Sequence, residues 1–213
     1  MQRLRIKFTR ENQIKFLSHL DLMRFWERAI RRAGFETAYS EGFTPHARLS
    51  LAAPLPVGIT SRVELMDVWL AGWETPNTFA NKLAEQLPGG MEILEARVVS
   101  PEAPSMQSQI HFAAYEVEIE SGRSAEEVDS SIRALMESED FPWKHSREKE
   151  ERRYNLRALV DDVRIISSSG SIYKLGMKLR CDTSGSGRPE QVTLALGFRE
   201  RPSSIHRTDL IFQ

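Results

Sequence analysis

The sequence predicts an α+β protein, and three observations lead there. Short runs alternate apolar and charged residues, as Leu4, Ile6 and Phe8 do between Arg3, Arg5 and Lys7; this is the period-two pattern of a half-buried strand. Between such runs lie segments with apolar residues at helical spacing, opened by Ser18, Pro76, Ser124 and Pro189, residue types that start helices. Residues 101–108, with two prolines and two serines, then separate this pattern from a looser repeat of it.

The elements follow in order. Residues 3–8 are the first strand. The Ser18 hydroxyl caps a helix, and Asp21 at the third helical position completes a capping box. That helix runs to about Ala33 and stops at Gly34, a residue suited to the left-handed position after a helix. Leu22, Trp26, Ala29 and Ala33 form its apolar stripe, and Arg24, Arg28 and Arg31 a neighbouring basic one. Residues 36–39 and 49–53 read as short strands around a turn at 42–46. Pro54-Leu55-Pro56 ends the second as stiff, extended chain. A longer strand spans 63–70. A helix opens at Pro76 with Phe79, Leu83 and Leu87 inward, Gly89-Gly90 ends it, and 91–99 returns as a strand. Strand, helix, strands, helix, strand is a ferredoxin-like unit with an added hairpin over residues 1–100. Residues 101–108 then form a linker.

The second unit, 109–213, starts with a strand at 110–119. Ser124, with Glu127 in the capping-box position, opens a helix to about Met136. Residues 143–145 read as a short strand and 148–153 as a solvated mixed-charge segment. Residues 154–166 fit a helix or a strand. A strand at 172–179, a loop at 184–187 and a helix from Pro189 to about Leu196 follow, and the tail carries no long regular signal. The predicted class is therefore α+β, two tandem ferredoxin-like units, the first with an added hairpin.

A chain of 213 residues, 40% apolar, can bury a sizeable core. No apolar run approaches the ~20 residues that cross a bilayer, so a membrane partner is not expected and the cytoplasm is the default location. The single cysteine, Cys181, excludes an internal disulfide and a Cys-rich metal site, and suits a small side chain in or beside a strand. The net charge of -1 hides a pattern. Residues 1–48 hold ten Lys/Arg against five Asp/Glu; residues 100–140 hold two against ten; residues 141–213 hold fourteen against nine. Basic ends around an acidic middle fit a phosphate backbone, an acidic partner or each other.

Three stretches carry a resemblance: Lys15-Phe16-Leu17-Ser18-His19-Leu20-Asp21-Leu22-Met23-Arg24, Arg31-Arg32-Ala33-Gly34, and Tyr39-Ser40-Glu41-Gly42-Phe43-Thr44-Pro45-His46. Pro54-Leu55-Pro56-Val57-Gly58 continues it, with looser matches at Gly187-Arg188-Pro189-Glu190 and His206-Arg207-Thr208. The chain resembles the radical-SAM-linked DUF2344 family, whose members occur fused behind radical-SAM proteins or encoded near them. The resemblance implies a link to a radical-SAM system, in RNA modification, and supplies no established activity. A radical-SAM cluster needs three cysteine thiolates, so one cysteine makes this chain a partner or a substrate-presenting module rather than the radical enzyme.

The candidate residues fall into four groups. Arg3, Arg5 and Lys7 are expected on the open face of the first sheet, where RNA-binding modules present a platform; no outward aromatic accompanies them on that strand, though Trp69 suits the 63–70 strand. Arg24, Arg28 and Arg31 are expected to bind phosphate along one helix face, the bland reading being surface ion pairs with Glu27 or other carboxylates. Residues 184–187 leading into Arg188 and Pro189 offer backbone N–H groups to an anion. His19 and His46 are the acid/base candidates. Asp21 is accounted for by capping, and the spacing of His19, Asp21 and His46 matches no metal motif, so no metal or cofactor is expected. The leading expectation is an RNA-binding or substrate-presenting accessory protein, with RNA and a radical-SAM protein as partners. A metal-independent RNA-acting enzyme using His46 or His19, and a protein-only adaptor, are the alternatives.

Overall fold

The first unit, Met1–Gln109, runs β1 (Gln2–Arg10), α1 (His19–Arg32), β2 (Leu49–Leu51), β3 (Thr60–Leu70), α2 (Pro76–Ala84) and β4 (Ile93–Val99). The structure, a computed structural model, describes residues 1–147 and 150–212; Glu148 and Lys149 of the mixed-charge segment read at 148–153 lie outside the described residues. β1 pairs antiparallel with β3 and with β4, and β2 pairs antiparallel with β3. Residues 36–39 do not form a strand; they make only isolated bridges, Thr37 to Leu70 and Tyr39 to Ala47.

The alternation in β1 sends Leu4, Ile6 and Phe8 into one apolar cluster with Met66, Val68 and Leu70 of β3, Leu22, Trp26, Ala29 and Ile30 of α1, and Phe79 and Leu83 of α2. Trp26 is fully buried and meets the Phe8 ring edge-on at 4.8 Å, a favourable aromatic geometry. α1 begins and ends as its residues dictate. The Ser18 hydroxyl accepts from the Asp21 N–H, and Gly34 adopts φ +84°. The Gly34 N–H donates to the Arg31 carbonyl and the Phe35 N–H to the Ile30 carbonyl, which closes the helix end as a Schellman motif.

The opposite face of the sheet is the main correction to the sequence reading. Residues 101–108 are not a linker: they belong to the first unit and are strapped onto it. Arg3 Nη1 donates to the Ala103 carbonyl at 2.5 Å and to the Ser100 carbonyl at 3.4 Å, and Nη2 to the Pro104 carbonyl at 3.2 Å. Gln107 donates to the Ser50 hydroxyl and the Leu51 carbonyl, and Met106 is fully buried. Beneath the strap, Asp67 accepts from both Arg3 and Arg5, at 2.5 and 2.8 Å. The pairing register sets Arg5 directly across from Asp67.

The second unit, Ile110–Gln213, runs β5 (Ile110–Glu120), α3 (Ala125–Glu137), β6 (Pro142–Arg147), β7 (Glu150–Asn155), β8 (Val160–Ser169), β9 (Ile172–Asp182), β10 (Gly185–Ser186), α4 (Pro189–Ala195) and β11 (Ser204–Phe212). β5 lies between β11 and β9, β8 pairs with β9, and β10 adds a two-residue ladder to β9; all are antiparallel. β6 and β7 form a separate two-stranded ribbon. α3 carries the full Ser124/Glu127 capping box and buries Val128, Ile132 and Leu135. The class is mixed α and β, as the periodicities indicate.

One segment left open by its periodicity is settled here, and one element departs from expectation. Residues 154–166 split into the end of β7, a short helical turn and β8. The tail, read without a regular signal, is the nine-residue strand β11. A bulge between Arg207 and Asp209 switches its inward phase from Ile205 and Arg207 to Leu210, and an inward arginine disguises the rest of the alternation.

Replacing Asp67 with Asn is expected to destabilise the protein by about 3–5 kcal/mol, because two buried guanidiniums lose their counter-charge. The measurement is the urea midpoint at unchanged slope. A loss below about 1 kcal/mol would place these arginines among solvent-screened pairs instead.

Candidate functional site

α1 sorts its side chains by helical periodicity. With Leu22, Trp26, Ala29 and Ile30 committed to the core, Arg24, Arg28 and Arg31 are left on the solvent side, all exposed. From Arg24 to Arg31 the helix rises by roughly 10 Å along its axis. Among the described residues, Arg28, Arg31 and Glu27 make no ion pair or side-chain hydrogen bond. Arg24 reaches Asp21 only at 3.9 Å, with both side chains more than half exposed, a contact that contributes little. Arg32 alone is tied down, donating to the Gln86 side chain and carbonyl at 3.3 Å. The helix field rewards cations in the last turn, which accounts in part for Arg31 and Arg32 but not for Arg24 and Arg28.

The other candidates lie elsewhere. Arg3 and Arg5 do not reach solvent: they are 3% and 7% exposed and committed to Asp67, so the expectation that they meet phosphate on an open sheet face is corrected. The face of Trp69 is also occupied, with the Arg3 and Arg48 guanidinium carbons 4.9 and 5.0 Å from its ring centroid. Lys7 is half-exposed and borders a cleft with Arg5, Leu65, Glu95 and Arg97 of about 30 Å³, room for little more than a water.

His19 and His46 are both exposed, and among the described residues neither ring has a hydrogen-bond partner. His46 is placed through its backbone: its N–H donates to the Ser40 hydroxyl at 3.0 Å and its carbonyl accepts from the Ser40 N–H at 2.8 Å. Asp21 is occupied at the helix start, accepting from the Ser18 hydroxyl at 2.7 Å. Among the described residues no group of three or more His, Cys, Asp or Glu side chains is placed to share a metal ion.

The loop before Arg188 does not keep its N–H groups for a ligand. Asp182 accepts from the N–H groups of Ser184 and Gly185 at 2.8 and 3.2 Å and from the Ser184 hydroxyl at 2.5 Å. The Gly187 N–H goes to the Arg180 carbonyl. The chain's own carboxylate thus fills the place expected for an anion. Arg188 itself remains exposed and lies near the Tyr154 hydroxyl, which donates to Gln191 Oε1 at 2.6 Å. Burial raises the Tyr154 pKa, partly offset by Gln191 and by the positive charge of Arg188.

Sequence reasoning missed one feature. At the root of the β6–β7 ribbon an open depression of about 340 Å³ is bordered by Asp140, Pro142, Lys144, Arg153 and Asn155, with Trp143 and Tyr154 also reaching it. Trp143 lies across from Tyr154 and Lys144 across from Arg153. The usable signal was the mirror order of an aromatic-then-basic pair, Trp143-Lys144, and a basic-then-aromatic pair, Arg153-Tyr154, in the sequence.

The family DUF2344, described as an uncharacterized protein conserved in bacteria, matches residues 3–189. Among curated proteins none matches. A chain in the crystal structure of a Cbf5-Nop10-Gar1 complex is similar with TM-score 0.54 at 8% identity, over 97% of this chain and 48% of that one. A chain in the archaeal box H/ACA sRNP Nop10-Cbf5 complex gives 0.50 at 8% identity, over 97% and 47%. The likeness is one of fold, and this chain spans about half the length of those solved chains.

The hydrogen bonds of the 182–187 turn make a prediction about pH. Burial alone would push the Asp182 carboxyl up, but the Ser184 hydroxyl and N–H, the Arg180 guanidinium and the Gly185 N–H outweigh it and hold the pKa below the ordinary value. A depressed carboxylate contributes stability above the unfolded pKa of about 3.9 and loses it as pH falls through the folded value. An NMR titration of the Asp182 carboxyl carbon should therefore show a midpoint below about 3.9; one at or above it would mean that the turn does not engage the carboxylate.

Proposed function

The chain belongs to the DUF2344 family, and from that premise we propose that it is a non-catalytic accessory protein that binds RNA, or presents it, to a radical-SAM partner. The observation that carries the proposal is the arginine stripe of α1: Arg24, Arg28 and Arg31 stand outward in one row, and among the described residues the row's only ion pair is the exposed contact of Arg24 with Asp21 at 3.9 Å. Guanidinium groups in that state suit phosphate oxygens, which they meet in paired hydrogen bonds. The core contacts of α1 use its other face, so the stripe is not needed for folding. Exposed Arg188 of the second unit is a further candidate for the backbone. That one chain of similar fold belongs to a box H/ACA sRNP supports RNA over other polyanions.

The same reading takes both units as ferredoxin-like. Pairing in the order β4, β1, β3, β2 in the first and β11, β5, β9, β8 in the second supports this, with β6, β7 and β10 as additions to the second. A protein-only adaptor is the second reading. It is favoured by Phe16 and Val57, 72% and 56% exposed, on segments joined by the Gly58 N–H to Lys15 carbonyl bond at 2.8 Å.

Changing Arg24, Arg28 and Arg31 together to alanine should leave the unfolding midpoint unchanged and weaken RNA binding. The slope of log affinity against log salt should fall by about 2, at ~0.7 per phosphate contact on a single strand. An unchanged slope would remove the stripe from the interface. A partner complex that survives nuclease and this variant would favour the adaptor.

A further inference from the structure

β4 ends the strand order of the first unit: among the described residues it pairs with β1 and with no other strand. A sheet edge presents unpaired N–H and carbonyl groups. The bonds on the inner side of β4 decide which residues present them. The Thr9 N–H donates to the Glu92 carbonyl at 3.0 Å and the Glu11 N–H to the Gly90 carbonyl at 2.8 Å, so the odd-numbered residues of β1 turn their backbone groups toward β4. Arg3, Arg5 and Lys7 lie across from Val99, Arg97 and Glu95. Those three β4 residues therefore bond to β1, and Ala96 and Val98 between them turn their N–H and carbonyl groups to the free edge. Leu94 continues the alternation, beside the register shift between Lys7 and Phe8.

The side chains alternate as well. Glu95 and Arg97 share the face that carries Arg5 and Lys7, and all four border one small cleft. Glu95 and Arg97 lie 3.8 Å apart, both more than half exposed. Ala96 and Val98 take the helix face, level with Ile6 and Leu4. Ala96 packs on the core cluster there, while Val98 is 52% and Leu94 50% exposed. Charge on an edge strand ordinarily guards it against a second edge. The charges of β4 do not, because of their order. Around Ala96 the strand reads Leu94-Glu95-Ala96-Arg97-Val98. Each aliphatic has an aliphatic at its mirror position, and the acid has a base. A strand of this order is complementary to itself when reversed.

We propose that β4 is a dimerisation edge and that its occupant is the β4 strand of a second copy of this chain, antiparallel and two-fold symmetric about Ala96. The two Ala96 residues then face each other and exchange N–H···O bonds. Val98 of each copy exchanges bonds with Leu94 of the other, about six hydrogen bonds in all. Glu95 of each copy falls opposite Arg97 of the other. Those are the non-hydrogen-bonded positions, where facing side chains come closest, and opposite charges there are favourable. A single paired edge is much smaller than the ~800 Å² per partner of a standard interface, so the dimer is weak and depends on concentration. The contact uses no residue of the α1 stripe and does not depend on RNA.

The test is sedimentation velocity of the full chain over a concentration series reaching about 1 mM. The unaltered chain should pass from monomer toward dimer as concentration rises; a monomer throughout overturns the proposal. Glu95→Arg alone and Arg97→Glu alone should each weaken self-association about tenfold, since both symmetric pairs then oppose like charges. The exchanged chain E95R/R97E should dimerise as the unaltered chain does. An equimolar mixture of the Glu95→Arg chain and the Arg97→Glu chain should regain the dimer, because each then meets only opposite charge. A dimer that neither single reversal weakens, or a loss that neither the exchange nor the mixture restores, overturns the pairing. Should a reversed variant fail to fold, amide hydrogen exchange of the unaltered chain decides: the Ala96 and Val98 N–H groups should exchange more slowly in concentrated than in dilute solution, and equal exchange in both overturns the proposal. R24A/R28A/R31A should dimerise unchanged; loss of the dimer there would overturn β4 as the contact and move it to α1.

Discussion

The first unit depends on one buried carboxylate. Asp67, 1% exposed, holds two guanidiniums at once on the sheet face away from the helices. A guanidinium has five N–H groups and accepts nothing, so Asp67 cannot satisfy Arg3 and Arg5 alone. The carbonyls of Ser100, Ala103 and Pro104 take the remaining donors of Arg3. The strap is thus required by the charges it covers. One face of the sheet is closed by apolar side chains and the other by a hydrogen-bonded network in which an unmet donor would be costly.

That arrangement divides the arginines by environment. Arg3 and Arg5 are internal. Arg123 clasps helix ends, donating to the carbonyls of Leu196 and Glu127 at 2.6 and 2.8 Å, and Arg157 reaches the Met136 and Val160 carbonyls at 3.1 and 2.5 Å. Both donate to backbone oxygens, which fixes their guanidinium groups in place within the fold. The outward row on α1 differs because its residues hold nothing inside the fold. A surface charge without an internal partner is where a partner's charge can act, and this makes α1 a more selective pointer to function than the net charge of any segment.

The α1 row and the β6–β7 ribbon belong to different units and offer different chemistry. The row is all cation and would respond to salt. The ribbon carries its ring pair, Trp143 and Tyr154, and its cation pair, Lys144 and Arg153, at alternate positions and so on opposite faces.

Local physics was legible in the sequence. Ser18, Gly34, Ser124 and Pro189 mark helix ends because a hydroxyl, a positive φ or a missing N–H acts within one turn, and the alternation in residues 3–8 assigns Leu4, Ile6 and Phe8 to the core. The destinations of the charges were not legible. Arg3 and Arg24 are equally plausible phosphate ligands in sequence, yet one is buried against a carboxylate 64 residues away and the other stands in solvent. A bulge and an inward arginine hid β11 for a related reason, since both are settled by the neighbouring strand. The sequence by itself determined where helices and most strands begin and which face of each is apolar. Tertiary structure alone decided which cations are internal, that residues 101–108 are a strap, and that Trp143 meets Tyr154, because desolvation and pairing register are set by residues far away in the chain.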